Sequence, residues 1–321
     1  VSGAGASGSS GLTGPSGLGR GLGAALFAVL VWGGQLPIAK GIFPALDGFS
    51  ISVVRYGVAF LCFIPLLVWL EGLRAFVAQG RDLKLVVVAG IAMGASALLM
   101  ITGLARTRPE IAVLILGLQP AMTAIADWAV WKKRPPAFTL ACLALAFAGV
   151  AIAVTRGGDA ILNPAPAVRG EVLGNLLTFG AATAWVSYVL ITTRLHGWST
   201  IRVSALTSGP AVALVLAAWG IAWLAGATYA NEEVLPAASW RLAYVSVVGV
   251  VISMFLWNYG AKKIGAVNAM LLLNLMPVVT FAFRAAEGAR FVPSEIAGAA
   301  IVVGALVANN VYLRRRPRRL S

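Results

Sequence analysis

Ten stretches of this chain run for about 20 residues each with almost no charge, the length an α-helix needs to cross about 30 Å of hydrocarbon. They lie near Leu22–Ile42, Ser52–Leu70, Leu85–Thr102, Ile111–Trp131, Phe138–Val154, Val172–Thr192, Val203–Ala225, Leu242–Tyr259, Val267–Ala286 and Ser294–Leu313. A strand of a membrane barrel needs only about 10 residues and alternates in polarity. These runs are continuous and longer. Because lipid offers no partner for a backbone N–H or C=O, a chain of this pattern must satisfy both internally. The sequence therefore predicts an all-α integral membrane protein with ten transmembrane helices.

Composition excludes the main alternatives. Residues are 60% hydrophobic and only 11% charged, with a mean hydropathy of +0.88; a soluble domain needs about 25% charged residues to wet its surface. A soluble doubly wound enzyme, a nucleic-acid binder and a secreted disulfide scaffold are thereby ruled out. Thirty-six glycines suit helices that approach closely. Cys62 and Cys142 sit in apolar runs and read as small hydrophobes. No metal and no cofactor is expected. Residues 1–21, rich in Gly, Ser and Ala, read as a disordered lead.

The formal net charge of +14 resolves into a topology once it is sorted by loop. With the amino terminus inside, sixteen Lys and Arg fall on the cytoplasmic side and seven on the outer side, while Lys40 and Arg55 lie within spans. That asymmetry in short loops is the positive-inside pattern. It predicts a bacterial inner (plasma) membrane protein with both termini cytoplasmic. The basic tail 314–321 reads as a stop-transfer segment resting on anionic lipid headgroups rather than as a nucleic-acid contact.

An internal repeat divides the chain. Residues 102–120 and 259–277 align without gaps, so that Gly103 meets Gly260, Arg106 meets Lys263, Ala112 meets Ala269 and Pro120 meets Pro277. A second echo pairs Ala28 and Trp32 with Ala181 and Trp185. The expected halves are 22–154 and 172–313, joined by a linker at 155–171. Each holds five spans, an odd number, so the second half is inverted relative to the first. Inverted repeats build secondary transporters, since two such halves can rock about a central site.

The same residues carry a family resemblance. Trp32-Gly33 followed by Lys40, Arg55 early in the second span, and the segment from Gly260 through Pro277 to Glu287 resemble the ten-helix EamA branch of the drug/metabolite transporter superfamily. The resemblance covers about Leu22 to Leu313. It implies two EamA-like repeats, alternating access and no enzyme activity, and within the branch the layout is similar to the YddG-like amino-acid exporters. Val130 occupies the position equivalent to Glu287, so any role of that acid is asymmetric or structural.

Candidate site residues follow from depth and helix face. Trp32 and Gln35 share one face of the first span, and Trp185 and Tyr188 hold the same relative positions in the sixth. Two helices each offering an aromatic ring and a hydrogen-bonding group would line a cavity, completed by Met93 and Asn274. Against this, tryptophans also form interfacial belts, and an asparagine can glue helices together. Lys40 and Arg55 have two readings: both snorkel to the interface or tie down helix carbonyls, or both meet a substrate carboxylate at an outer cavity mouth. Pro120 and Pro277 are hinge candidates. The Gly90-x-x-x-Gly94 pair reads as close packing, and Glu287 as a partner of Arg284 or Arg290.

No carboxylate lies near the middle of a span, and the only histidine, His196, is in a loop, so a buried proton relay is not expected. The leading reading is a secondary transporter exporting small organic metabolites, amino acids foremost. A monomer embedded in membrane lipid is expected, with a small-molecule substrate and no nucleic-acid partner. The alternative is a membrane-embedded enzyme acting on a lipid-linked or small-molecule substrate, which would need an acid cluster or a His-Glu-x-x-His pair. Neither is present in the sequence.

Overall fold

The computed structural model describes residues 15–132, 134–158, 166–265, 269 and 272–315. Outside the described residues lie most of the expected disordered lead and the linker centre, Lys133, part of the start of the ninth run, and the tail beyond 315. The helices are α1 (Pro15–Lys40), α2 (Gly48–Glu71), α3 (Gly80–Arg106), α4 (Pro109–Leu116), α5 (Gln119–Trp131), α6 (Ala137–Val154), α7 (Pro166–Thr192) and α8 (Thr200–Leu224). They continue as α9 (Leu235–Ala243), a π-helical stretch Tyr244–Ile252, α10 (Ser253–Ile264), α11 (Leu275–Ala286) and α12 (Pro293–Arg315). Among the described residues, nine segments are long and apolar enough to cross a membrane, α4 with α5 and α9 through α10 each counting as one; α11 is apolar but shorter. This is an all-α, multi-pass membrane protein.

Its surface agrees with that medium. Trp69 is 80% exposed and Leu224 79%, a presentation that water disfavours and hydrocarbon does not. One boundary differs from the sequence reading: α1 begins at Pro15, so residues 15–21 are helical rather than part of a disordered lead. Proline fits the first turn of a helix, and Gly21 lies directly against Lys263 and Ile264 of α10, so tertiary packing holds a stretch with little intrinsic helix propensity.

Glycines set the closest helix crossings. A Cβ placed on Gly94 of α3 would lie 2.8 Å from the Ala211 carbonyl of α8, and one on Gly90 would meet Pro210 at the same distance. The Gly90-x-x-x-Gly94 pair is thus a packing seam. Two further seams are twins. At Gly103 a Cβ would lie 2.9 Å from Gly174 O and 2.8 Å from Thr178 Oγ1, joining α3 to α7. At Gly260 it would lie 2.7 Å from both Gly21 O and the Ala25 Cβ, joining α10 to α1. Each member of the second seam stands at the repeat-related position of the first.

Other pairings between the halves show the same twinning. The α4–α5 span packs on α7 as α11 packs on α1, α3 packs on α8 as the π-helical stretch packs on α2, and α2–α8 and α6–α12 pair with each other. The segment after α1 meets the segment after α8 through a Leu46–Ala230 bridge and an Asn231 N–H donating to Ala45 O at 2.8 Å. At the far end of α2, Arg202 donates to the carbonyls of Ala75 and Val77, each at 2.9 Å. The turn between α7 and α8 therefore lies at the end of the bundle opposite the turn between α1 and α2.

Candidate functional site

Where α1, α2 and the π-helical stretch meet, apolar packing gives way to a polar cluster. Trp32 Nε1 donates to Gly249 O at 3.0 Å, and Ser253 Oγ donates to the same carbonyl at 2.8 Å. The Gln35 amide, oriented as its neighbours require, places its nitrogen 3.1 Å from Gly249 O and its oxygen against Arg55 Nη2. Arg55 Nε donates to Val245 O at 3.4 Å. The two carbonyls that receive these side chains lie within the widened helix, a form that recurs at functional sites because it re-aims backbone groups. Arg55 is 3% exposed, and its Nη1 has no hydrogen-bond partner among the described residues.

A softer patch lies beyond Arg55. Trp185 and Tyr188 of α7 lie with ring centroids 5.0 Å apart and planes tilted by 38°, and they pack with Met93, Ala89, Ala211 and Tyr56. Thr207 Oγ1 approaches Met93 Sδ at 3.9 Å. Tyr56 follows Arg55 directly on α2, so this helix links the polar cluster to the aromatic one. On the opposite flank, Trp32 packs against Trp257 with centroids 5.4 Å apart. Of the eight expected binding residues, Trp32, Gln35 and Arg55 thus form one group, and Met93, Trp185 and Tyr188 a second.

Lys40 and Asn274 stand apart from both groups. Lys40 Nζ donates to Leu104 O at 2.7 Å, Ala105 O at 3.0 Å and Thr107 O at 2.9 Å. All three ammonium hydrogens are committed to the frayed carbonyls of α3, where a cation is favoured. Of the two readings of Lys40, the structure displays the carbonyl-tying one. Arg55 also donates to a helix carbonyl, that of Val245, and lies inside the bundle at 3% exposure. Asn274 is 8% exposed in the turn that precedes α11, and its Nδ2 has no hydrogen-bond partner among the described residues.

The hinge candidates sit just past two helix breaks. Gly117 and Leu118 turn with ψ of −18° and −10° before Pro120 enters the first turn of α5, and Asn274 turns with ψ of −14° before Pro277 enters that of α11. Proline is tolerated in a first turn because the N–H it lacks would have no intrahelical acceptor. Each break is a short tightened turn, not a bend in mid-helix.

A charge network unites several helix ends at the same end of the bundle as Lys40. Arg284 Nε lies 3.2 Å from Glu110 Oε2, and its Nη1 lies 2.6 Å from Glu287 Oε2, one of the two pairings that the sequence left open for Glu287. Arg108 pairs with Glu295, and Arg156 lies 3.2 Å from Glu171. Glu110 and Glu295 are 2% and 1% exposed. Sequence reasoning missed this network because it searched the mid-depth of the spans for acids. The available signal was positional: Glu110 and Glu295 occupy first helical turns, where the helix dipole favours a carboxylate. Beside the network, a cavity of about 390 Å³ is lined by Pro37, Lys40, Gly41, Arg241, Arg284 and Glu287.

The sequence profile of the EamA-like transporter family matches this chain twice, over residues 19–155 and again over 172–311. The chain belongs to the EamA-like transporter family. Two relatives from Bacillus subtilis (strain 168) are themselves uncharacterized transporters. YrdR is 24% identical over 296 residues, covering 90% of this chain and 91% of its own. YyaM is 25% identical over 268 residues, covering 82% and 84%. A solved crystal structure at 18% identity shares the fold with a TM-score of 0.63, covering 92% of this chain and 98% of its own. An EamA-like protein is a secondary transporter and not an enzyme: the helical bundle moves small molecules across the inner membrane rather than transforming them. Its membership in the wider drug/metabolite transporter superfamily follows.

Proposed function

We propose that this EamA-like protein exports small organic metabolites, amino acids foremost, in the manner of the YddG-like exporters. Transport proceeds by alternating access between two inverted halves, 22–154 and 172–313, joined by a linker at 155–171. In this reading α11 together with the residues before it forms the tenth span, both termini face the cytoplasm, and the working unit is a monomer. The observation that carries the reading is the twinned glycine seam, Gly103 on Gly174 and Gly260 on Gly21, at repeat-related positions. Two such seams, supported by the twinned helix pairings and by turns at opposite ends after α1 and after α7, give the halves equivalent surfaces on which to rock. Substrate sits between the Trp32–Gln35–Arg55 group and the Met93–Trp185–Tyr188 group, with Asn274 beside a helix break and Pro120 and Pro277 marking the points that flex. The network of buried carboxylates lies at one end of the bundle, where it ties the halves together.

Counterflow in proteoliposomes tests this. Amino acid preloaded inside is expected to accelerate uptake of radiolabelled amino acid, and Trp185→Ala and Gln35→Ala should each change the ranking of substrates while leaving expression intact. Absence of movement under every gradient, or an unchanged ranking in both variants, would contradict it.

A further inference from the structure

We propose that Arg55 is the anion-recognition centre of the transport site, so that a single carboxylate is the group the substrate must carry and its amino group is dispensable. This rests on the transport reading above and narrows it to a substrate class: small monocarboxylates with an apolar or aromatic tail, amino acids being one case.

Arg55 lies inside the bundle at 3% exposure, and no carboxylate among the described residues comes within 4.0 Å of it. Its neighbours are neutral: the Gln35 side-chain oxygen, the Val245 carbonyl and the adjacent Tyr56. The acid closest along its own helix, Asp47, is already engaged. Asp47 accepts from Phe49 N at 2.8 Å, Ser50 N at 3.0 Å, Ser50 Oγ at 2.6 Å and Tyr229 N at 3.1 Å. The remaining described carboxylates that are buried, Glu110 and Glu295, belong to the arginine network at the helix ends. A guanidinium in a low-dielectric interior gains most from an anion that can accept its planar fork of donors, and Nη1 has a hydrogen to give.

The same inventory explains why the amine is not required. Trp32, Gln35, Tyr56, Met93, Trp185 and Tyr188 include no anionic group, so no fixed charge there attracts an ammonium, and Arg55 repels one nearby. The ring faces of Trp32 and Trp185 are where an ammonium is best accommodated. A second carboxylate on the substrate would find no second cation in the cluster. The apolar tail goes to the Met93–Trp185–Tyr188 patch, which offers polarizable, ring-lined contact.

The test is a binding measurement on the purified full chain in detergent, read by tryptophan fluorescence and by thermal stabilisation. The probes are 3-phenylpropionate, phenylalanine, phenethylamine and phenylsuccinate. The expected result is that 3-phenylpropionate and phenylalanine bind within about tenfold of each other, while phenethylamine, which loses the charge-assisted hydrogen bond, and phenylsuccinate, which brings a second carboxylate with no cation to meet it, each bind about a hundredfold more weakly. Arg55→Gln should abolish carboxylate binding, and Arg55→Lys should retain a weakened form of it. The ranking on the wild-type chain needs no variant, so a misfolded Arg55→Gln leaves the test intact. Phenethylamine binding as tightly as 3-phenylpropionate, no carboxylate binding at all, or unchanged binding in Arg55→Gln would overturn the proposal. Carboxylates that bind but are never moved in counterflow would remove the transport reading and leave this site standing; phenethylamine moved in counterflow as fast as phenylalanine would do the reverse.

Discussion

Replacing Glu295 with alanine is expected to destabilise the protein by about 3 kcal/mol, the lower end of the range for breaking a buried ion pair from one side. Glu295 is 1% exposed, pairs with Arg108 and approaches Arg156 Nε at 4.0 Å. Its Oε2 also accepts the Val292 N–H at 3.2 Å, so the substitution removes, along with the charge, the hydrogen bond by which the first turn of α12 reaches back to the residue before the helix. The lower end of the range applies because Arg108 and Arg156 are 24% and 36% exposed and can turn toward water. Glu287→Ala supplies the contrast. Glu287 is 40% exposed, and although its contact with Arg284 is 2.6 Å, removing it should change stability by no more than about 0.5 kcal/mol, because water screens the pair. Thermal or denaturant unfolding in micelles measures both. Equal effects of the two substitutions would mean that burial does not govern this network.

Gly298→Val should be at least as damaging. A Cβ on Gly298 would stand 2.5 Å from the Gly149 carbonyl and 2.8 Å from the Ala153 Cβ, and one on Gly149 would stand 2.8 Å from the Gly298 carbonyl. Both obstacles are backbone or short side chains, which cannot swing aside. Helices in lipid associate by such close contact and not by apolar burial, since lipid is as apolar as leucine. Forcing α6 and α12 apart therefore removes dispersion and adds strain, at about 3 kcal/mol or more. Gly304→Val on the same helix meets nothing within 4 Å and should be close to neutral. Folded yield and thermal midpoint report the difference. A Gly298→Val protein as stable as the Gly304→Val one would show that this crossing is looser than the geometry indicates.

Much of the fold was legible because the bilayer imposes one length on every span. The apolar runs gave the helices, the offset between Gly103 and Gly260 gave the repeat, and Gly90 and Gly94 announced a packing seam. What stayed hidden were partnerships between residues far apart in the chain. A membrane helix is apolar on its lipid face and on its core face alike, so periodicity does not say which side meets which neighbour. That is why Gln35 could be placed on a helix face but not against Arg55 and Gly249, and why neither reading of Arg55 named Val245 as its carbonyl partner. The π-helical stretch left no mark, because Tyr244–Ile252 reads as an ordinary apolar run whose widened turns are paired with donors from α1 and α2. Pro120 and Pro277 mark the neighbourhood of a break without fixing its position, because the irregular turn falls ahead of each, at Gly117–Leu118 and at Asn274.

The central claim is that the two halves traverse the bilayer in opposite senses, and side-specific cysteine labelling tests it most directly. With Cys62 and Cys142 replaced, single cysteines would be introduced at Pro44, after α1, and at Gly197, after α7, and probed in oriented vesicles with a reagent that cannot cross the membrane. The account predicts that Pro44→Cys reacts only from the outer face and Gly197→Cys only from the cytoplasmic face. Reaction of both from one face would contradict it.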